Sequence, residues 1–423
     1  MHLTRAQLSW ICYDMANAAF ALIVRTVYAP LFFKGFSAEG MNETLATSIW
    51  GYVSAGAGLA AGVIAPWLGS VADANSGRKR YLFFFLFLGI VATLALCLTG
   101  RGDATPMLIF YFTALVAYMA SNSFYDALLP DIAPRGASDK LSSLAYAWGY
   151  IGGVIPFLVC LGVSLLLKDS PGIAFRFAFI MAAVWWIALA VPMFRLVHER
   201  RRPGSRKIGA LDGLRKLWRT GREIGKHRDA ALFLVAYFLY IDGVGTILLM
   251  ATPISVDIGI PANWLLLTIL ALQFLAFPFT ILYGVLARKF GARRMLYTAI
   301  GVYVAIALLV GLIPLCDSPG VKRGIFLVAA FLIGTSQGGI QSLSRSFFTR
   351  LIPNGQSAEF FGFYNIFGKF TTILGPLLVG LAGWLFSSSE VGIALLAIPF
   401  LLGACLLSKV KLPSERRKGV CCG

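Results

Sequence analysis

The chain has 423 residues, 58% of them hydrophobic, 13% aromatic and only 13% charged. A soluble domain carries about 25% charged residues, so this composition excludes an ordinary water-soluble enzyme. The formal net charge of +18 would point to nucleic acid in a soluble protein, and only the placement of the cations decides whether it does so here.

A membrane span needs about 20 mostly apolar residues. That length predicts twelve helices, over residues 6–34, 45–72, 80–99, 106–131, 141–167, 173–197, 230–255, 263–287, 294–314, 324–350, 358–386 and 391–409. The first is interrupted by Asp14 and Asn17 and has no small-residue cleavage site, so it reads as a membrane helix and not as a signal peptide. Several are too long for a perpendicular crossing, which implies tilt or extension beyond the bilayer. The longest polar interval lies between the sixth and seventh spans. Its Leu211, Leu214, Leu217 and Trp218 recur at helical spacing among cations. That pattern fits an amphipathic helix on anionic headgroups or a charged linker that only sets topology. The expected organisation is an N-terminal half over 1–197, a basic linker over 198–229, a C-terminal half over 230–410 and a tail over 411–423.

With the N-terminus inside, 28 of the 37 Lys and Arg residues fall in cytoplasmic segments and five in outer loops. The remaining four, Arg25, Arg176, Arg345 and Lys369, lie within spans. Such a bias is the positive-inside signal; it places both termini in the cytoplasm and removes nucleic acid as a partner.

The halves repeat. Gly69 to Arg80 (GSVADANSGRKR) and Gly284 to Arg294 (GVLARKFGARR) share a Gly, a short apolar stretch, a charge, a second Gly and a basic cluster. Pro134, Gly136, Ser138 and Gly149 recur 219 residues later as Pro353, Gly355, Ser357 and Gly368. Two six-helix halves of like topology place a substrate site near the midplane where they meet.

These loops resemble the signature loop of the major facilitator superfamily. The first copy has one extra residue between Asp73 and Gly77, and the second carries Arg288 in place of the acid. The strings YDMANAAFA (Tyr13 to Ala21), YIDGVGTI (Tyr240 to Ile247), SQGGIQSLSRSFFTRLIP (Ser336 to Pro353) and EFFGFYNIFGKF (Glu359 to Phe370) resemble the fungal vacuolar amino-acid effluxers of autophagy and their bacterial relatives within that superfamily. The resemblance implies an all-α membrane protein of twelve transmembrane helices in two pseudo-symmetric halves, a secondary transporter with amino acids as the indicated substrate class and a bacterial plasma membrane as its location.

A charge near the centre of a span costs about 2.5–3.5 kcal/mol on insertion scales, so intramembrane ionisable residues are functional candidates. Asp14 and Arg25 are eleven residues apart in the first span, which on an ideal α-helix puts them on one face about 16 Å apart. Asn17 joins that face. Asp242 in the seventh span has a YxDG setting that parallels Tyr13-Asp14. Desolvation raises a carboxyl pKa towards neutrality, so Asp14 and Asp242 are candidate proton carriers; the other use of such groups is helix-to-helix hydrogen bonding. Lys369, with Asn365 one turn before it, and Arg25 are candidate ligands for a substrate carboxylate, although Lys369 would equally well neutralise an acid. Gln337 and Gln341 share a face with Arg345 at four-residue spacing, and Gln273, Asn122, Tyr125 and Tyr146 are further cavity candidates. Asp126 and Arg345 differ by the repeat offset of 219, so they occupy matching places and form a candidate gate across the halves. Asp73 and Arg78, with the adjoining Lys79 and Arg80, are assigned to the same cytoplasmic gate, because the family loop links the second helix to the eleventh.

Other chemistry finds no support. Histidines 2, 198 and 227 form no metal motif, and the cysteines have no zinc or disulfide spacing. The Gly-Lys of GFYNIFGKF fails as a phosphate loop, since five residues separate the glycines and Phe370 stands where Ser or Thr is required. Neither cofactor nor metal is expected. The pairs Gly58/Gly62, Gly149/Gly153 and Gly334/Gly338 are read as helix-packing sites. The expected activity is alternating-access transport of an amino acid or similar zwitterionic or anionic metabolite by a monomer, with protons as coupling ion. The alternatives are export of amphiphilic compounds and a non-transporting receptor or scaffold.

Overall fold

The computed structural model describes residues 3–41, 43–75, 77–133, 138–167, 170–199, 227–257, 262–352, 356–369, 378–379 and 389–412. The regular structure among these residues is all helical, with no strand among them, and eleven of the helices are long and apolar enough to cross a membrane. In chain order the helices are α1 (Arg5–Ser37), α2 (Glu43–Ala74), α3 (Arg78–Ala95), α4 (Ala104–Ala127), α5 (Ser138–Leu166), α6 (Pro171–Leu196), α7 (Arg228–Asp257), α8 (Ala262–Phe290), α9 (Ala292–Gly311), α10 (Pro319–Thr349), α11 (Ser357–Lys369) and α12, in two pieces, Ser389–Leu395 and Ala397–Lys409; α11, described over 13 residues, is the one of these that is not among the eleven. The expected span 358–386 is thus represented by α11. Its remainder, apart from residues 378–379, the linker over 200–226 and the tail from 413 lie outside the described residues.

Local chemistry sets the helix ends. Thr4 Oγ1 accepts from the Gln7 amide at 3.3 Å while Gln7 Oε1 accepts from the Thr4 amide at 3.0 Å, a capping box that starts α1. Gln7 Nε2 also donates to the Ile132 carbonyl at 3.2 Å, tying this end to the short helix Leu129–Ile132 that continues α4. α1 is not a regular α-helix. It widens into π geometry over Phe20–Tyr28 and again over Phe33–Ser37, a departure that is rare and frequent at functional sites.

Contacts divide the chain into two compact units. One comprises Met1–Pro134, Trp148–Leu217 and Asn354–Ile366; the other comprises Arg135–Ala147, Trp218–Pro353 and Phe367–Gly423. The division crosses the chain halves at two places: α5 belongs to the second unit up to Ala147, and α11 belongs to the first up to Ile366.

In lipid there is little hydrophobic gain in bringing helices together, so close packing of small residues takes over. In the first unit Gly149 and Gly153 of α5 face Ala18 of α1, and a Cβ on neighbouring Gly152 would stand 2.3 Å from Met15 Cβ. In the second unit Gly334 and Gly338 of α10 lie against Leu275 and Thr280 of α8. Gly58 departs from the packing expectation: a Cβ there would meet nothing within 4 Å among the described residues.

Candidate functional site

The polar face of α1 meets a polar face of α4 in the first unit. Asn17 is only 3% exposed and its Nδ2 donates to Asn122 Oδ1 at 2.7 Å. The Asn17 Oδ1 acceptor, also buried, finds no donor among the described residues. Tyr118, one turn before Asn122 on α4, lies within reach of three charges: Asp14, Arg25 and Asp126. Arg25 also acts on Tyr111 and Asp14 on Tyr150. Asn17 thus meets α4 directly, while Asp14 and Arg25 act on its tyrosines electrostatically, Arg25 from within the π segment of α1. The side chain of Arg25 is exposed and that of Asp14 half-buried. Tyr111, Tyr118, Asn122 and Asp126 follow one another at seven-, four- and four-residue intervals, a helical-face signal that would have added Tyr111 and Tyr118 to the candidates.

Tyr125, a cavity candidate by sequence, is instead packing. Its ring stacks on Trp10 at 4.5 Å and Tyr13 at 4.9 Å between centroids. Its hydroxyl donates to the Trp10 carbonyl at 3.0 Å, and Trp10 Nε1 returns a bond to the Tyr125 carbonyl at 3.3 Å.

The α2–α3 loop is organised by Arg78, a buried guanidinium. Its Nε donates to Asp73 Oδ1 at 2.7 Å, and one terminal nitrogen donates to Asp131 Oδ2 at 2.8 Å and to the Ala127 carbonyl at 3.4 Å. Buried ions are tolerated only when paired and hydrogen-bonded, and Arg78 satisfies both acids at once. Asp131 was not among the sequence candidates. A second device lies beside this one. The Glu199 carboxylate, just beyond α6, accepts from the Arg78 and Lys79 amides at 3.1 and 3.4 Å, while Lys79 Nζ donates to the Phe194 and Val197 carbonyls. Each helix end is thus capped by a side chain of opposite sign from the other, as helix dipoles favour. Burial pushes the Glu199 carboxyl up, against the pull of the two amides and the Arg78 charge. Asp126 accepts from Asn365 Nδ2 of α11 at 3.3 Å. A Cβ at Gly362, one turn earlier, would lie 2.6 Å from Pro66 Cα of α2.

In the second unit Arg345, also buried, donates from Nε to Ser142 Oγ at 2.9 Å and from a terminal nitrogen to the Ser142 carbonyl at 3.1 Å, with its guanidinium 4.3 Å from the centre of the Tyr146 ring. Asp139 accepts from Ser346 Oγ at 2.7 Å and pairs with Arg350. The sequence reading missed Asp139 and counted Arg350 only as a loop cation. A signal was present, since Arg350 stands 219 residues after Asp131: matching places carry an acid bound by Arg78 in one unit and a base bound by Asp139 in the other. Asp242 is buried on α7, and Gln337 and Gln341 are half-buried on α10 between fully buried neighbours. Lys369 is the last residue of α11, and its side chain lies outside the described residues. Among the described residues no group of three or more His, Cys, Asp or Glu is placed to hold a metal ion.

An all-helical chain with eleven membrane-length helices among the described residues, a charge-bearing loop after the second helix and ionisable groups within the spans has the pattern of a major facilitator transporter. Solved structures agree on the fold: the proton:xylose symporter XylE has a TM-score of 0.75 at 14% identity over 96% of both chains. The human organic anion transporter MFSD10 has a TM-score of 0.72 at 16% identity over 95% of this chain and 98% of that one. The family model described as "Vacuole effluxer Atg22 like" matches residues 4–419, and the chain belongs to that family. It is 36% identical to the MFS-type transporter YxiO of Bacillus subtilis over 413 residues, 96% of this chain and 95% of that protein. It is also 28% identical to autophagy-related protein 22-2 of Aspergillus clavatus over 58% of this chain, but that match takes in only 43% of the fungal protein.

Proposed function

We propose that this major facilitator transporter moves a small zwitterionic or anionic metabolite, an amino acid foremost, by alternating access coupled to protons. It works as a monomer in a bacterial plasma membrane with both termini in the cytoplasm, the side on which 28 of its 37 cations are counted. The observation that carries the reading is the buried Asn17 Oδ1 acceptor, without a donor among the described residues, one turn from Asp14 on a face that also answers to Arg25. An unsatisfied buried acceptor is costly; a substrate ammonium would satisfy it, and Arg25 offers the matching cation for a carboxylate. Asn365, Gln337, Gln341 and Lys369 complete the substrate-binding assignment. Asp14 and Asp242 are assigned as the proton carriers, being acids within membrane-length apolar helices. Asp73, Arg78, Asp126 and Arg345 form the cytoplasmic gate, and the Asp139 and Arg350 pair belongs with them. The family description as effluxers of the vacuole supports solute transport.

The test is flux in proteoliposomes under an imposed pH gradient, over a panel of amino acids, peptides, sugars and organic acids. Gradient-driven amino-acid accumulation, abolished by a protonophore and lost in Asp242→Asn with exchange retained, is the expected result. Unchanged coupling in Asp242→Asn removes it as a carrier, and accumulation of sugars alone removes the substrate assignment.

A further inference from the structure

Of the three consecutive cations after the α2–α3 turn, two are taken up by the protein: Arg78 between Asp73 and Asp131, and Lys79 by carbonyls at the end of α6. Arg80 is exposed. It lines a cavity of about 420 Å³ with Leu68, Asn75, Gly77, Tyr81 and Phe84. Beyond that cavity the same face of α3 is apolar and is not covered by other described residues. Phe84, Phe87, Val91 and Leu94 follow Arg80 at steps of four, three, four and three residues and are 55%, 59%, 46% and 39% exposed. Such steps keep residues on one helical face. The row from Phe84 to Leu94 is about 15 Å long at the α-helical rise, about half of the roughly 30 Å hydrocarbon core.

We infer that Arg80 and its cavity hold the phosphodiester of an anionic glycerophospholipid, one acyl chain of which lies along Phe84, Phe87, Val91 and Leu94. The guanidinium fork matches two phosphate oxygens at once. A soluble phosphate would satisfy Arg80 and leave the apolar row uncovered, whereas a lipid covers both. Arg78 and Lys79 are offset by Asp73, Asp131 and Glu199, so Arg80 is the cation of the cluster that faces the headgroup, and the preference for an anionic over a zwitterionic lipid is read in the test. The loop belongs to the basic side of the chain, where anionic headgroups gather.

The test is native mass spectrometry of the full chain released from micelles containing phosphatidylglycerol, phosphatidylethanolamine or inorganic phosphate. Wild type, Arg80→Gln, Phe84→Ala and a control at another exposed cation, Arg288→Gln, are compared after matching their melting temperatures. Wild type and Arg288→Gln are expected to retain one phosphatidylglycerol more than Arg80→Gln, with at least a fivefold weaker retention in Phe84→Ala and no competition from inorganic phosphate. Equal retention in wild type and Arg80→Gln overturns the site. Displacement by inorganic phosphate, or retention unaffected by Phe84→Ala, overturns its assignment to a lipid. Retention of phosphatidylethanolamine equal to that of phosphatidylglycerol overturns the preference for anionic lipid.

Discussion

Asn17 of α1 and Asn122 of α4 are joined by a 2.7 Å amide hydrogen bond between two membrane-length helices. Truncating one partner strands the other in a low-dielectric setting, which costs about 1–3 kcal/mol, whereas replacing both by apolar groups of similar shape is close to neutral. Asn122→Ala is therefore expected to lower the melting temperature in detergent more than the double change Asn17→Leu/Asn122→Leu. The double variant should still lose substrate-dependent stabilisation, which separates the packing role of Asn17 from the binding role proposed for it.

Arg78 is held by Asp73 and Asp131 together, so the consequences of losing them differ. Arg78→Ala leaves two buried carboxylates without their cation and is expected to destabilise by about 3–5 kcal/mol. Asp131→Asn retains an acceptor for Arg78 and leaves Asp73 to balance its charge, so the loss should be smaller. Thermal unfolding of the two variants in the same detergent orders them.

Glu199 supplies a pH dependence with a definite sign. Its carboxyl is raised in the folded state by burial, so the folded chain binds this proton more tightly than the unfolded one. The associated stability is present in full below the unfolded value and is lost as pH rises through the folded one. Glu199→Gln keeps an acceptor for the Arg78 amide and removes the titration, and it should flatten this dependence of hydrogen exchange at the start of α3. Glu199→Ala removes the cap as well and should speed exchange there at all pH values, by an amount corresponding to about 0.5–2 kcal/mol.

Asp139 and Arg350 test the second unit. Arg350 is partly exposed and Asp139 is buried, so the hydrogen-bonded pair should be worth about 1.5–3 kcal/mol at most. A double-mutant cycle with Asp139→Asn and Arg350→Gln reads that coupling. In transport assays the weakened pair is expected to raise the accessibility of a cysteine placed at Gln341 to a reagent added from the linker side, as a gate residue should. Unchanged accessibility would confine the pair to structural support.

Gly362→Ala sets a methyl 2.6–2.7 Å from the backbone of Pro66. Backbone does not swing aside as a side-chain tip does, so overpacking of about 1–3 kcal/mol is expected. The change should weaken the bond from Asn365 to Asp126 one turn away, and it is read by melting temperature together with transport rate.

The spans were legible because the requirement behind them is local. About 20 apolar residues must cover the hydrocarbon, and the predicted 173–197 and 324–350 are found as Pro171–Leu196 and Pro319–Thr349. The repeat was legible for a similar reason, since an offset of 219 residues can be read without any coordinates. Partners were not. Arg345 was singled out as an intramembrane cation, but its bonds to Ser142 come from 203 residues away, and membrane helices share one apolar code that does not mark which faces meet.

By itself, then, the sequence determined the class of protein, the helices and the uneven distribution of cations, all of which follow from the length and polarity of single segments in a bilayer. Only the tertiary structure decided that Arg78 bridges two acids, that Tyr125 packs against Trp10 while Tyr118 lies among the charges, and that α1 departs from α-helical geometry before Arg25. Those choices depend on which small residues allow helices to approach and which buried polar groups then satisfy one another, and that matching exists only once the chain is packed.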